Sequence, residues 1–180
     1  MKPKTNYKGD PGKSSKYDRC QTPAYAIEPI IPYLKPDQVI WEPACGEGNL
    51  VRAMKAHGLF VVGTDVLYGR NFFDWSPWWF DVLVTNPPYS IKYPWLERCY
   101  DLGKPFALLL PVETLGAARA QRLFDKHGVH VILLSQRVNF KMPDKGYDGH
   151  GAQFPVMWVM WEPGMGKHIE FATINNKGER

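Results

Sequence analysis

Val39-Ile40-Trp41-Glu42-Pro43-Ala44-Cys45-Gly46-Glu47-Gly48-Asn49-Leu50 decides the fold. An apolar run from Val39 to Pro43 reads as a buried strand. Gly46 and Gly48 then allow a tight turn in which backbone can approach a ligand closely. The next segment, Gly48 to His57, carries Leu50, Val51 and Met54 on one helical face and stops at Gly58. Outward from this strand–turn–helix unit the pattern repeats. Leu59–Asp65, Asp81–Thr85, Phe106–Leu110, Val129–Leu134 and Val156–Trp161 read as further strands. Pro94–Leu102 and Ala117–His127 read as helices, closed by Gly103 and Gly128. The alternation predicts an α/β sandwich on a mostly parallel sheet. No helix is legible between the strands near 130 and 161, so an antiparallel hairpin-like edge is expected there. Upstream, Thr22-Pro23 reads as a helix start with Thr22 as cap, and Pro29 and Pro32 keep that helix short or broken.

Ligands of such sheets sit at the carboxyl ends of strands, where strand order reverses. The Gly46-x-Gly48 loop is neither G-x-G-x-x-G nor a P-loop, and taken alone it fits a plain strand-to-helix turn equally. Asp65, closing the next strand about twenty residues on, fits an acid that accepts from two ribose hydroxyls. Phe73 and Asp74 are placed to meet an adenine ring and its amino group. Glu42, Asp65 and Asp74 together suit a ligand bearing positive charge and hydroxyls rather than phosphates. S-adenosylmethionine, with its sulfonium and ammonium, meets that description.

Thr85-Asn86-Pro87-Pro88-Tyr89-Ser90 is the most specific feature. Two prolines end the strand's ladder and fix the turn. They aim two acceptors outward, the Asn86 side chain and the Pro87 carbonyl, and an exocyclic NH₂ has two hydrogens to give. Accepting both draws electron density toward the nitrogen and makes a poor nucleophile usable. Tyr89 supplies a flat ring for stacking. The structural alternative is a rigid loop around a buried tyrosine.

On these residues the sequence resembles the S-adenosylmethionine-dependent amino-group methyltransferases, most closely the adenine-N6 DNA methyltransferases. The resemblance runs from about Thr22 to Trp161. It comprises Thr22-Pro23, the Glu-Pro-Ala-Cys-Gly-x-Gly loop, Asp65, Phe73-Asp74 and Asn-Pro-Pro-Tyr, in the family's gamma order. It implies a class I, Rossmann-like methyltransferase fold: a seven-stranded, mostly parallel sheet with a reversed last strand. It implies that Thr22 and Pro23 border the cofactor's methionine end and that Glu42, Ala44, Cys45, Gly46 and Gly48 form the cofactor loop. Asp65 would bind ribose, and Phe73 and Asp74 the adenine. Asn86, Pro87, Pro88 and Tyr89 would form the catalytic clamp. Phe140 matches loosely a second aromatic that lids the target base, with a core phenylalanine as its alternative. Arg137, Lys141 and Lys145 would hold phosphates of DNA, whose adenine must be flipped out or single-stranded to reach such a site. No separate recognition domain fits after Phe140, which implies low sequence specificity. The segment 141–153 is the one candidate reading loop, or a plain connection.

Charge and composition bound the rest. The chain has 180 residues, 44% hydrophobic and 22% charged, which fits one globular domain and excludes general disorder. No apolar stretch is long enough to span a membrane and the N-terminus lacks a secretory signal, so a cytoplasmic protein is expected. Three widely spaced cysteines argue against disulfides or a zinc site, and the five histidines show no metal spacing, so no metal is expected. Of the basic residues, six fall in residues 1–20 against two acids, and the remainder of the chain balances. Residues 1–18 therefore read as a flexible basic arm, solvated or touching phosphates, ahead of a single methyltransferase domain at 19–180. Trp75, Trp78, Trp79 and Phe80 read as a cluster capping the sheet or packing under the cofactor pocket, with a homodimer interface as a second option. Rival functions remain: methylation of adenine in RNA or of a protein glutamine amide, since all three targets present an NH₂ on an sp² carbon, and a non-catalytic cofactor-binding subunit.

Overall fold

The computed structural model describes residues 18, 20–141 and 154–175. Most of the expected basic arm, Lys145 and nearly all of the candidate reading loop lie outside the described residues. Seven strands form one sheet: β1 Val39–Glu42, β2 Phe60–Gly63, β3 Val82–Thr85, β4 Phe106–Pro111, β5 Val129–Leu134, β6 Val156–Trp161 and β7 Lys167–Ala172. Their spatial order is β2-β1-β3-β4-β6-β5-β7. Pairs β1/β2, β1/β3, β3/β4 and β5/β7 are parallel, and β6 runs antiparallel to both β4 and β5. The mostly parallel seven-stranded sheet is as the sequence implied. The reversed strand is β6, which lies between β4 and β5 rather than at the edge. The chain then adds β7 outside β5, a strand the sequence reading did not contain.

The sheet is covered on both faces because its central strands are apolar on both sides. Ile40, Val84, Leu109 and Trp158 face one layer, built by Ala26, Ile27 and Ile30 together with Leu50 and Met54 of helix α1, Asn49–Ala56. Trp41, Leu83, Leu108 and Val159 face the other, packed by Trp95 and Leu96 of α2, Lys92–Leu102, and Phe124 of α3, Ala118–His127. The segment after Thr22-Pro23 is a 3-10 helix, Ala24–Tyr33, in which Pro29 and Pro32 are accommodated. Its N-cap is Pro23, not Thr22, and no side chain caps it. It is pinned to the sheet by the buried Trp158 indole, whose Nε1 donates to the Ala26 carbonyl at 2.8 Å. From β1 the chain steps to β2 on one side and returns to β3 on the other. That reversal opens a crevice at the carboxyl ends of β1 and β3, where both sequence motifs emerge.

Candidate active site

The crevice holds a cavity of about 210 Å³. Of the residues expected to hold a cofactor, Ala44, Gly46, Asp65 and Phe73 line it, and Asn86 and Pro88 of the clamp turn form part of the wall. Gly46 has φ 49°, a left-handed conformation that disfavours a side chain there, and the Gln21 side chain occupies the space a Cβ would take. Gly48, with φ 81°, leads into α1. The Gly46 N–H donates to Asp65 Oδ2 and the Leu67 N–H to Asp65 Oδ1, each at 2.9 Å. A carboxylate offers about four lone-pair sites, so Asp65 keeps acceptor capacity toward the cavity.

Glu42 and Cys45 stand outside the lining, beneath the loop. Glu42 is fully buried; the Thr85 hydroxyl donates to its Oε1 at 2.7 Å, and Oε2 has no partner among the described residues. Burial, opposed by the Thr85 hydrogen bond and reinforced by the charge of Asp65, pushes its pKa up to about 8. Burial and the same two carboxylates push the Cys45 thiol up to about 12, which keeps it protonated and unreactive at neutral pH.

The clamp turn follows β3. The Asn86 amide Nδ2 donates to Thr22 Oγ1 at 3.0 Å. This pins the side chain and leaves its buried Oδ1 without a partner among the described residues. Thr22 thus bonds Asn86 rather than the helix end, Pro23 takes the N-cap position of that helix, and neither is on the cavity wall. Tyr89 opens a short 3-10 turn into α2 and sits near Phe140, with ring centroids 6.4 Å apart and planes at 80°. Burial pushes its phenol well above the usual value.

Not every expected residue reaches the cavity. Asp74 is exposed, off the cavity wall, and accepts from Asn71 Nδ2 at 2.7 Å. Asn71 lines the cavity, held by an Asx turn in which the Phe73 N–H donates to its Oδ1 at 3.0 Å. Phe140 is buried in the core, with its ring edge-on to that of Tyr89. Arg137 is exposed, whereas Lys141 is half-buried, backbone-paired with Gln21 and 3.9 Å from Glu47 Oε2. The tryptophan cluster divides. Trp75 and Phe80 pack on Trp41, while Trp78 is 87% exposed and Trp79 is partly so. Among the described residues no group of three or more His, Cys, Asp or Glu converges as metal ligands would. No helix among them is long and apolar enough to cross a membrane.

The sequence reading missed Asp18, Gln21 and Trp95, all on the wall. Asp18 accepts from the Ser90 N–H at 3.2 Å and hydroxyl at 2.8 Å, and Gln21 Oε1 accepts from the Glu47 N–H at 3.2 Å. Trp95 stacks on Phe72 at 3.9 Å and 9°. The adjacency of Asp18 and Gln21 to Thr22-Pro23 was the available signal. Among the described residues, the cavity wall carries Asp18, Glu47 and Asp65 and no lysine or arginine.

Two solved structures share this fold. One is the methyltransferase subunit of a type I restriction-modification system from Streptococcus thermophilus, with TM-score 0.52, 15% identity, and 78% of this chain and 43% of that one covered. The other is a candidate class I S-adenosylmethionine-dependent methyltransferase from Listeria monocytogenes, with TM-score 0.54, 16% identity, and 83% and 62% covered. The chain therefore spans about two fifths and three fifths of their lengths. No protein-family model matches the sequence, and no curated protein does. The fold is the class I methyltransferase sandwich.

Proposed function

We propose that this chain transfers the methyl group of S-adenosylmethionine to the exocyclic N6 of adenine in DNA. The observation that carries this reading is Asn86, whose amide is fastened to Thr22 through Nδ2 so that a buried Oδ1, unpartnered among the described residues, remains as an acceptor beside Tyr89. The likeness in fold to the two methyltransferase structures is consistent with it.

The cavity fits the cofactor by its chemistry. Three carboxylates and no basic side chain on the described wall suit a cationic, hydroxyl-bearing ligand and disfavour a phosphate. Gly46 gives the close backbone approach such a ligand needs. Asp65 would hold the ribose hydroxyls through its remaining lone pairs. Asn71 and Phe73 would border the adenine. When bound, S-adenosylmethionine supplies an already activated methyl group, so the chain's work is alignment and charge placement. Asn86 Oδ1 and the Pro87 carbonyl accept the two N–H hydrogens of the target amino group. That holds the nitrogen in place and raises its electron density. The amino nitrogen would give up one proton to solvent in that transfer. Tyr89 and Phe140 would hold the base, which has left its stack.

The test is methyl transfer from radiolabelled S-adenosylmethionine to DNA, RNA and a glutamine-containing peptide in parallel, by the wild type and Asn86→Ala. We expect N6-methyladenine in DNA from the wild type, and at least a hundredfold slower transfer by the variant with cofactor affinity within threefold. Equal transfer by both proteins would remove Asn86 from the chemistry. Label in RNA or peptide alone would reassign the substrate.

A further inference from the structure

Beyond the clamp, the structure assigns a role to Phe154, which no motif singles out. Phe154 immediately precedes Pro155 and β6. Because β6 is reversed, its start lies at the same end of the sheet as the carboxyl ends of β3 and β4, beside the clamp turn. The Phe154 ring lies 5.8 Å from Tyr89 with planes at 59°. Tyr89 therefore has aromatic neighbours from two other segments, Phe140 after β5 and Phe154 before β6, and both meet it tilted or edge-on. Among the described residues, no ring is stacked flat on Tyr89.

Three buried polar atoms without described partners lie on the same segments: Asn86 Oδ1, Tyr89 OH and Asn139 Oδ1, the last next to Phe140. Buried polar atoms are normally paired, so their grouping marks a place that expects a ligand with hydrogen-bonding edges. Aromatic rings around orphan acceptors suit a flat heteroaromatic ring carrying donors, and suit an aliphatic amide poorly. Phe154 is 37% exposed whereas Phe140 is 8% exposed, which places Phe154 as the outer member of the pair.

We infer that Phe154 is a third aromatic wall of the target site, closing on an unstacked nucleobase held against Tyr89, and so a determinant of nucleobase over glutamine side chain. This rests on the proposed reaction for its purpose but not for its test. The probe is a single-stranded oligonucleotide containing 2-aminopurine, whose fluorescence is quenched by aromatic stacking. It is titrated with the full chain without cofactor, using wild type, Phe154→Leu and Phe154→Trp. The leucine keeps apolar bulk and removes the flat ring, and thermal melting checks that both variants fold.

We expect quenching by the wild type, about tenfold weaker binding with loss of quenching for Phe154→Leu, and recovery to within threefold for Phe154→Trp. Equal quenching by wild type and Phe154→Leu overturns the assignment. So does absence of quenching by the wild type, including the case in which only a glutamine peptide binds. Quenching that depends on Phe154, in a protein that transfers no methyl group to nucleic acid, would sustain the wall and overturn the proposed reaction instead.

Discussion

Replacing Glu42 by glutamine should make the protein more stable at neutral pH and leave it nearly unchanged in acid. Glu42 is fully buried between β1 and β3, with Oε1 accepting from Thr85 and Oε2 unpartnered among the described residues. Burial holds its pKa at about 8 against an ordinary 4.5, so the folded protein prefers the neutral acid while the unfolded chain ionises. A raised folded pKa contributes stability that is fully present below 4.5 and lost progressively as pH rises to about 8. By pH 5 the loss is about 1 kcal/mol and by pH 7 about 3 kcal/mol, on the scale of ~1.4 kcal/mol per pKa unit. The glutamine of the Glu42→Gln variant would keep the bond from Thr85 and has no proton to lose. The wild type should therefore give up about 2 kcal/mol more than the variant between pH 5 and pH 7, or roughly 4–8 °C in Tm for a chain of this size. The assay is thermal unfolding followed by circular dichroism at half-unit steps from pH 4.5 to pH 8.5. All other groups titrate alike in both proteins, so the difference between the curves isolates Glu42. Parallel curves would refute the argument, because they would mean that Glu42 is already ionised in the folded state near pH 5.

Thr22→Val removes the acceptor that pins Asn86 Nδ2 at 3.0 Å while keeping the side chain's volume. Single-turnover methyl transfer should slow about tenfold, the worth of one such hydrogen bond, and Thr22→Ser should restore it. Asn71→Ala should weaken S-adenosylmethionine binding, measured by calorimetry, about tenfold, whereas Asp74→Ala should stay within threefold. The opposite order would return the adenine contact to Asp74.

The strands that build the site were legible because they are buried and bounded by turn residues. Val39–Glu42 and Val82–Thr85 are apolar runs, each ended by a proline-containing turn, and their shortness between such turns favours a buried strand over a helix. The strand β7 was not legible for the converse reason. Lys167–Ala172 is exposed along nearly its whole length, pairs among the described residues with β5 alone, and has no buried face to leave a period-2 imprint. The reversed order of β5 and β6 showed as a missing helix between strands, but its place inside the sheet did not, because pairing partners are set by tertiary contact. At the site, the sequence offers Asp74 as the adenine contact, whereas the side chain on the cavity wall is Asn71, held in an Asx turn that is a matter of dihedral angles rather than composition. Thr22 carried the right residue type for a cap, yet its hydroxyl has a longer-range partner 64 residues away. Local propensity gives way there to a tertiary contact.

That contact belongs to a larger fastening. The loop after β1 and the turn after β3 emerge from neighbouring strands, joined by the pairs Ile40–Val82 and Trp41–Leu83 and by the Thr85 hydroxyl's bond to Glu42. A third piece of chain adds to that connection. Asp18 holds Ser90, Gln21 holds the Glu47 N–H and Thr22 holds Asn86, so one short stretch ties the cofactor loop to the clamp. The tie is itself anchored. The Gln21 backbone pairs with Lys141, the Asn139 N–H donates to the Tyr25 hydroxyl at 2.7 Å, and Trp158 grips the helix that follows. An in-line transfer depends on donor and acceptor being aligned to a fraction of an ångström, and an error of about 1 Å can cost about a hundredfold in rate. In the proposed reaction, a strap bonded to both loops and rooted on the far strands of the same sheet would help hold them in one relative position.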